Sequence, residues 1–356
     1  LEEFRAALDR SAIPYMNIVY ADADGNIFYI YNGVVPRRAT GLDWRGAVAG
    51  DDPRTEWQGF HSARDLPQLL NPSTGYVQNT NSTPFTTTRT GNPDAAAFPP
   101  YMVGRDEDNA RAKVSREILE SRDRFDFEAW ARAATDTRVL AARENIPQLL
   151  LQLDSLRDVQ PERAAALDRA AGALRGWDGV GRIESPAMTL FILAAEAPEP
   201  AGAWPLVQRL EHAVARLRRA WGTELVPWGE VNRLQRAHWS GRAGFSESEP
   251  SLPVPGGPGW VGIVYNFYTD WGPGERRRYG EAGNSYVGVV EFAPRVRARS
   301  IVYFGQSGDP ASPHWFDQAP LYARGEFKPA WFHRDEVEAN AVRTYHPGEE
   351  AGASPR

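Results

Sequence analysis

The 356-residue sequence contains no cysteine. This absence excludes disulfide bridges, thiolate nucleophiles and cysteine-ligated zinc. The net charge of −6 and the lack of a sustained basic run leave no field that attracts a phosphate backbone, so no nucleic-acid partner is expected. The longest apolar stretch, near residues 187–195, is too short to cross a bilayer, so no membrane span is expected either.

The six histidines lack the spacing of a metal site. None stands three or four residues from another and no HExxH motif occurs, so zinc held on a helix is not expected. The segment 22–26, Asp-Ala-Asp-Gly-Asn, has some likeness to a calcium loop. Its glycine comes too early and no glutamate follows at the required spacing, so a hairpin turn is the preferred interpretation.

Strand patterns stand towards both ends of the chain, and helical patterns lie between them. Strands are predicted at 16–20, 27–31, 263–268, 285–292 and 301–304. Helices are predicted near 108–121, 126–134 and 161–174, from 185–186 onward, and at 204–221. Because strands and helices segregate instead of alternating, the predicted fold class is α+β.

The same pattern divides the chain into four predicted regions. Residues 1–104 hold a hairpin followed by long loops rich in Pro, Gly, Asn and Thr, and such loops often carry function. Residues 105–225 are mainly helical, and residues 226–347 are β-rich. Residues 348–356 are polar and contain Gly and Pro, which predicts a flexible tail.

Ser307, His314 and Asp317 lie close enough in sequence to suggest a serine triad. A nucleophile elbow needs Gly-x-Ser-x-Gly on a turn between strand and helix, however, and triads assemble from distant segments. Here Gly308 comes one position early and prolines follow it, so a structural loop is preferred. The aromatic and charged residues at 228–233 are likewise interpreted as packing with solvated tips.

The loop at 71–84 is different, because it concentrates amides and hydroxyls in a turn-rich stretch. Side-chain and backbone N–H groups in such a loop can hold a developing negative charge. This loop is the sequence's best candidate for a functional site.

Several blocks resemble, in the same order, the penicillin acylases and acyl-homoserine-lactone acylases, which are N-terminal-nucleophile hydrolases. The strand pair and the active-site loop of that family are similar to the following residues: Asn17 to Asp22, Gly25 to Ile27, Gly33, Pro36, Trp57-Gln58-Gly59, Asn71-Pro72, Gly75-Tyr76 and Asn79-Thr80-Asn81. Later blocks similar to the family are Trp177-Asp178-Gly179, Gly283-Asn284-Ser285, Gly305 to Gly308 and Asp317-Gln318.

The resemblance implies an αββα-layered hydrolase fold with a helical insertion and a C-terminal β-rich segment. It also implies a self-cleaving precursor that gives a small α chain and a large β chain, of which this sequence would be the C-terminal part. The nucleophile would be a Ser whose own α-amino group serves as base, so it must stand at a chain N-terminus. Leu1 cannot be that residue. The expected partner is therefore an upstream segment that bears the Ser.

The resemblance assigns roles to individual residues of this sequence. Asn81 would be the oxyanion-hole amide, and Arg111, near the start of the next helix, would support it. The backbone carbonyl of Pro36 would bind a structural calcium ion. The acidic ligand that the family has after Asn81 would correspond to Asn92 or Asp94. No cofactor is expected for the chemistry itself. A loop-stabilising role for Asn81 and a solvated Arg111 are the plainer alternatives.

The resulting functional prediction is hydrolysis of an amide between an apolar acyl group and an amine, of β-lactam, acyl-homoserine-lactone or lipopeptide type. The chain alone is expected to be inactive, and the resemblance implies a periplasmic or secreted location. The alternative is a non-catalytic glycan-binding protein, because 12 Trp and 13 Tyr offer stacking faces.

Overall fold

The structure is a computed structural model that describes residues 1–104, 106–200, 202–237, 244–272 and 276–346. Helix α1 (Glu2–Leu8) precedes strands β1 (Tyr15–Ala21) and β2 (Ile27–Gly33), which pair antiparallel as predicted. The short strand β3 (Gln68–Leu70), which was not predicted, adds to β2. The turn between β1 and β2 is closed by Asp22.

The Asp22 carboxylate accepts hydrogen bonds from the backbone N–H and the side-chain amide of Asn26. These bonds lower the pKa of Asp22 to about 2. The carboxylate that the calcium-loop interpretation would need is therefore occupied in stabilising a turn. The hairpin interpretation of residues 22–26 is confirmed.

Helices occupy most of the middle of the chain. They are α2 (Ala110–Glu120), α3 (Phe127–Ala134), α4 (Leu140–Val159), α5 (Pro161–Ala165), α6 (Asp168–Arg175), α7 (Pro186–Ala195), α8 (Pro205–Trp221) and α9 (Trp228–Val231). Side chains of Asn109, Asp126 and Ser185 cap the starts of α2, α3 and α7. The helix predicted at 161–174 is two helices. Helix α4 was not predicted, because Pro147 interrupts its pattern.

Two further sheets follow. Strands β4 (Asn232–Leu234), β5 (Leu252–Pro253), β6 (Phe267–Trp271) and β7 (Arg278–Gly283) form one, in the order β5-β4-β7-β6. Strands β8 (Tyr286–Glu291), β9 (Arg297–Val302) and β10 (Lys328–Pro329) form the other, in the order β10-β9-β8. Helices α10 (Ala319–Arg324) and α11 (Arg334–Asn340) end the described chain.

Two strand predictions were misplaced. The run at 263–268 forms a strand only from Phe267, because Ile263 and Tyr265 bury their side chains without joining a ladder. The strand predicted at 301–304 begins at Arg297 and ends at Val302. An alternation of apolar residues indicates which side chains are buried. It does not show which residues form hydrogen bonds with a neighbouring strand.

The largest apolar core lies among helices α4, α6, α7 and α8 and also includes Trp228, Val231, Val261 and Ile263. It thus crosses the predicted boundary at 225/226, and the four-region division stays a prediction. The predicted tail at 348–356 lies outside the described residues. No helix in the described ranges is long and apolar enough to cross a membrane.

Candidate active site

Asn81 lies at the tip of a turn, residues 79–82, that we call the Asn81 turn. Its backbone φ is 58°, a left-handed conformation that Asn adopts more readily than most residues. The backbone N–H of Asn81 donates to Asn79 Oδ1 at 2.8 Å, and Asn79 Nδ2 donates to the Ser82 carbonyl at 2.9 Å. Asn79 therefore closes the turn from within.

The turn rests on the hairpin through Tyr29 of β2, which is fully buried. The Tyr29 hydroxyl donates to Asn17 Oδ1 at 2.7 Å and lies 3.4 Å from Asn79 Nδ2, which donates to it. Burial raises the pKa of Tyr29, so the hydroxyl stays protonated and keeps its donor role. The position of the Asn81 turn is thus tied to the first sheet.

The structure brings Asn81 and Arg111 together, 30 residues apart in sequence. Arg111 Nη2 donates to Asn81 Oδ1 at 3.0 Å. A guanidinium group has only donors, so the amide oxygen must face it and the amide nitrogen must face away. Asn81 is exposed, and its Nδ2 has no hydrogen-bond partner among the described residues. The arrangement presents one oriented N–H donor pair to the outside.

Arg111 reaches Asn81 past Gly259, which begins a 3-10 helix at 259–261. A Cβ atom on Gly259 would lie 2.7 Å from Arg111 Cδ and 2.7 Å from the Tyr268 hydroxyl. Only a residue without a side chain leaves this path open. Sequence reasoning missed Gly259, because nothing in the Gly- and Pro-rich stretch around it points to a residue almost 150 positions earlier.

Sequence reasoning also missed Asn109, the residue that caps α2. Its Nδ2 donates to the carbonyls of Thr80 and Asn81 at 3.1 and 3.0 Å. The available signal was an Asn just before an amphipathic helix, which indicates a cap. That signal does not reveal the second contact across the loop.

The residues assigned to calcium are placed in ordinary local structure. Pro36 forms an isolated antiparallel bridge with Phe60, and the Asp94 carboxylate accepts from the Ala96 N–H. Asn92 Oδ1 accepts a hydrogen bond from the Thr88 N–H, and Asn92 Nδ2 donates one to the Thr88 carbonyl. The described residues contain no group of three His, Asp or Glu side chains that could hold a metal.

Calcium takes six to eight oxygen ligands. Pro36 and Asp94 alone therefore provide too few oxygen ligands for Ca²⁺. The assignment of Pro36, with Asp94 or Asn92, to a calcium site stays a prediction.

Residues 305–317, which we call the Ser307 loop, do not assemble a triad. His314 Nδ1 lies 2.8 Å from Asp317 Oδ2, but the Ser307 hydroxyl accepts from the Asp309 N–H at 3.1 Å. No hydrogen bond joins Ser307 Oγ to the His314 ring in the part of the chain that the structure describes. The structure agrees with the loop interpretation.

The segment at 228–233 packs in the interior. Trp228 is fully buried and donates from Nε1 to the Gly256 carbonyl at 2.7 Å. The buried Asn232 side chain donates to the Val254 carbonyl. The packing interpretation of this segment is confirmed.

Comparison with known sequences shows to which protein family the chain belongs. The sequence model of the penicillin amidase family matches residues 1–339. The chain belongs to the penicillin amidase family. This membership confirms the predicted resemblance and favours the hydrolase interpretation over the glycan-binding one.

Relatives within the family are acylases. The chain is 26% identical to the acyl-homoserine lactone acylase PvdQ of Pseudomonas fluorescens, over 92% of this chain and 46% of that protein. It is 28% identical to the penicillin G acylase of Escherichia coli, over 49% of this chain and 19% of that protein. The chain thus spans about half the length of the first of these relatives.

A solved structure shares the fold. The thermostable penicillin G acylase of Alcaligenes faecalis superposes with a TM-score of 0.55 at 19% sequence identity, covering 97% of this chain and 69% of that one. At this identity the likeness concerns the fold alone. The predicted α+β class is confirmed by this match and by the described helices and sheets.

Proposed function

We propose that this penicillin amidase family chain supplies the oxyanion-stabilising side of an acylase active site. The nucleophile, a Ser at a chain N-terminus, lies outside this chain and attacks the carbonyl carbon of an amide. The carbonyl oxygen then becomes negatively charged, and Asn81 Nδ2 donates a hydrogen bond to it. The α-amino group of the Ser takes the hydroxyl proton and passes it to the leaving nitrogen as the C–N bond breaks, so the amine departs neutral and an acyl-enzyme remains. Water then hydrolyses the acyl-enzyme and regenerates the Ser hydroxyl.

The observation that carries the proposal is the bond from Arg111 to Asn81 Oδ1 at 3.0 Å. A donor that is held in place before the reaction needs no reorganisation when the charge develops, and this is the main source of oxyanion stabilisation. Arg111 fixes which end of the amide faces out. The positive guanidinium also polarises the amide, which strengthens Nδ2 as a donor.

The substrate class follows the relatives. Their names describe acylases of acyl-homoserine lactones and of penicillin G, which share an acyl group bound to nitrogen. We propose an apolar acyl group on an amine, with the β-lactam, homoserine-lactone and lipopeptide types as the candidates to compare. The proposal includes a precursor that cuts itself into a small α chain and a β chain, in the periplasm or outside the cell. A structural Ca²⁺ at Pro36 and Asp94 stays part of the proposal and would need further oxygen ligands beyond these two residues.

The proposal is tested by comparing this chain alone with the complete natural protein. Turnover of chromogenic phenylacetyl and long-chain acyl amides is measured for both. We expect activity only in the complete protein, and N-terminal sequencing of its chains should find one that begins with Ser. Turnover by the isolated chain, or a complete active protein with no such chain, would contradict the proposal.

A further inference from the structure

Asn109 uses every polar group of its side chain in a contact. Its Oδ1 accepts from the Ala112 N–H at 3.0 Å, which caps α2, and from the Thr80 hydroxyl at 3.4 Å. Its Nδ2 donates to the carbonyls of Thr80 and Asn81 at 3.1 and 3.0 Å. One side chain therefore joins the first turn of the helix that carries Arg111 to the turn that carries Asn81.

We propose that Asn109 is a positioning residue. It holds the Asn81 side-chain amide within hydrogen-bond distance of the substrate's carbonyl oxygen. The inference rests on the proposed function of Asn81. It concerns a different residue, which touches no reacting atom and acts through the backbone of Asn81.

The contacts of Asn81 show why such a residue is needed. Its N–H is held by Asn79, its side-chain oxygen by Arg111 and its carbonyl by Asn109. Only the last of these bonds fixes the backbone of the turn to α2. The Thr83 N–H also donates to the Glu107 carbonyl at 3.2 Å, which ties the chain after the turn to the segment before α2. Without the Asn109 bond, however, Asn81 itself would be joined to α2 only by the exposed side-chain bond to Arg111, and its backbone could shift relative to the helix. A displacement of about 1 Å at a catalytic group can lower turnover by about 10²-fold.

A capping role alone is the competing explanation, and substitutions separate the two. Asp and Ser are N-cap residues as good as Asn, so Asn109→Asp and Asn109→Ser keep the bond to the Ala112 N–H. Asp has no donor for the two carbonyls, and Ser has a single, shorter hydroxyl. Asp126→Ala is the matched control, because Asp126 caps α3 through the Ala129 N–H and makes no hydrogen bond to the Asn81 turn in the part of the chain that the structure describes.

The experiment measures kcat, KM and thermal stability of these variants in the complete protein. We expect Asn109→Asp to lower kcat by roughly 10- to 100-fold with KM little changed. Asn109→Ser should lower kcat less, and both should melt near the wild-type temperature. Asp126→Ala should lower the melting temperature and leave kcat as it is. Wild-type kcat in Asn109→Asp would overturn the inference.

A double substitution separates positioning from a mere effect of the new negative charge. If Asn109 acts through Asn81, Asn109→Asp should have no further effect on kcat in an Asn81→Ala background. An undiminished loss in that background would overturn the inference. If Asn81→Ala alone keeps normal turnover, the proposed function fails as well. If Asn81→Ala loses turnover while Asn109→Asp does not, the inference alone fails.

Discussion

The Asn81 turn and the Ser307 loop are both irregular, polar and partly exposed, yet they are held in different ways. In the Ser307 loop, Ser307 bonds to Asp309 and His314 to Asp317, so each group is satisfied by a near neighbour in sequence. In the Asn81 turn, Asn81 is bound by Asn109 and Arg111 from 28 and 30 residues away. The Ser307 loop also has a distant contact, from Arg236 to the Trp315 carbonyl, but this contact touches neither Ser307 nor His314.

The difference also concerns what remains unbonded. The Ser307 hydroxyl accepts a backbone bond within its own loop, which is the usual use of Ser in turns. Asn81 has three of its polar groups fixed, and its Nδ2 has no hydrogen-bond partner among the residues that the structure describes. A rigid support with one free donor is what an electrostatic catalytic group needs.

The largest effect is expected at Asn81 itself. Asn81→Asp keeps the shape and the bond to Arg111 but has no N–H to donate, so kcat of the complete enzyme should fall by about 10²–10³-fold. Asn71→Asp is the control, because Asn71 is exposed and left-handed too, with φ 46°. Steady-state kinetics on an acyl amide should show normal turnover for Asn71→Asp. Near-normal turnover of Asn81→Asp would show that the Asn81 turn, like the Ser307 loop, has no catalytic role.

A smaller loss is expected from removing the group that orients Asn81. In Arg111→Ala the amide is free to turn, so a fraction of molecules presents oxygen in place of nitrogen to the reacting carbonyl. We expect kcat to fall by roughly tenfold or more. Arg111→Lys keeps one donor and should recover part of the loss. Equal turnover in wild type and Arg111→Ala would show that Asn81 needs no orientation.

The third prediction concerns Gly259. In Gly259→Ala, the added methyl group would press on Arg111 Cδ, which is part of a flexible side chain, so Arg111 should move while the fold persists. We expect a several-fold loss of kcat, smaller than in Arg111→Ala. Gly172→Ala is the control, because a Cβ there has no neighbour within 4 Å. A Gly259→Ala enzyme with full activity would show that Arg111 tolerates displacement.

The smallest effects are expected in the Ser307 loop. Ser307→Ala and His314→Ala remove local, exposed contacts, so turnover should stay normal and the free energy of unfolding should change by about 0.5 kcal/mol or less. Activity assays and denaturant unfolding measure both quantities. Loss of turnover in Ser307→Ala would reverse the comparison and make that loop the catalytic one.

Part of this arrangement could be predicted from the sequence. The hairpin has alternating strands around a short polar turn, and Asp126 precedes an apolar helical pattern, so local rules were enough there. Asn81 and Arg111 were assigned roles through resemblance to the family. Their hydrogen bond is a structural observation, and their catalytic roles stay predictions.

The remaining features depend on contacts between distant segments. The sequence around Asn109 predicts only a helix cap, and its bond to the Asn81 carbonyl is seen only in the structure. The need for a glycine at position 259 likewise arises from its close contact with the Arg111 side chain. Helix α4 was missed for a different reason, since tertiary packing of buried leucines overrides the local effect of Pro147. Local sequence patterns do not contain these long-range contacts.

The most direct test is a crystal structure of the complete enzyme with a boronic acid that mimics the tetrahedral intermediate bound to the nucleophile. We expect the boron atom to be bonded to a Ser outside this chain, with Asn81 Nδ2 about 2.7–3.1 Å from the oxygen that represents the oxyanion. Arg111 should still donate to Asn81 Oδ1. An adduct on a residue of this chain, or an oxyanion oxygen beyond hydrogen-bond reach of Asn81, would contradict this expectation.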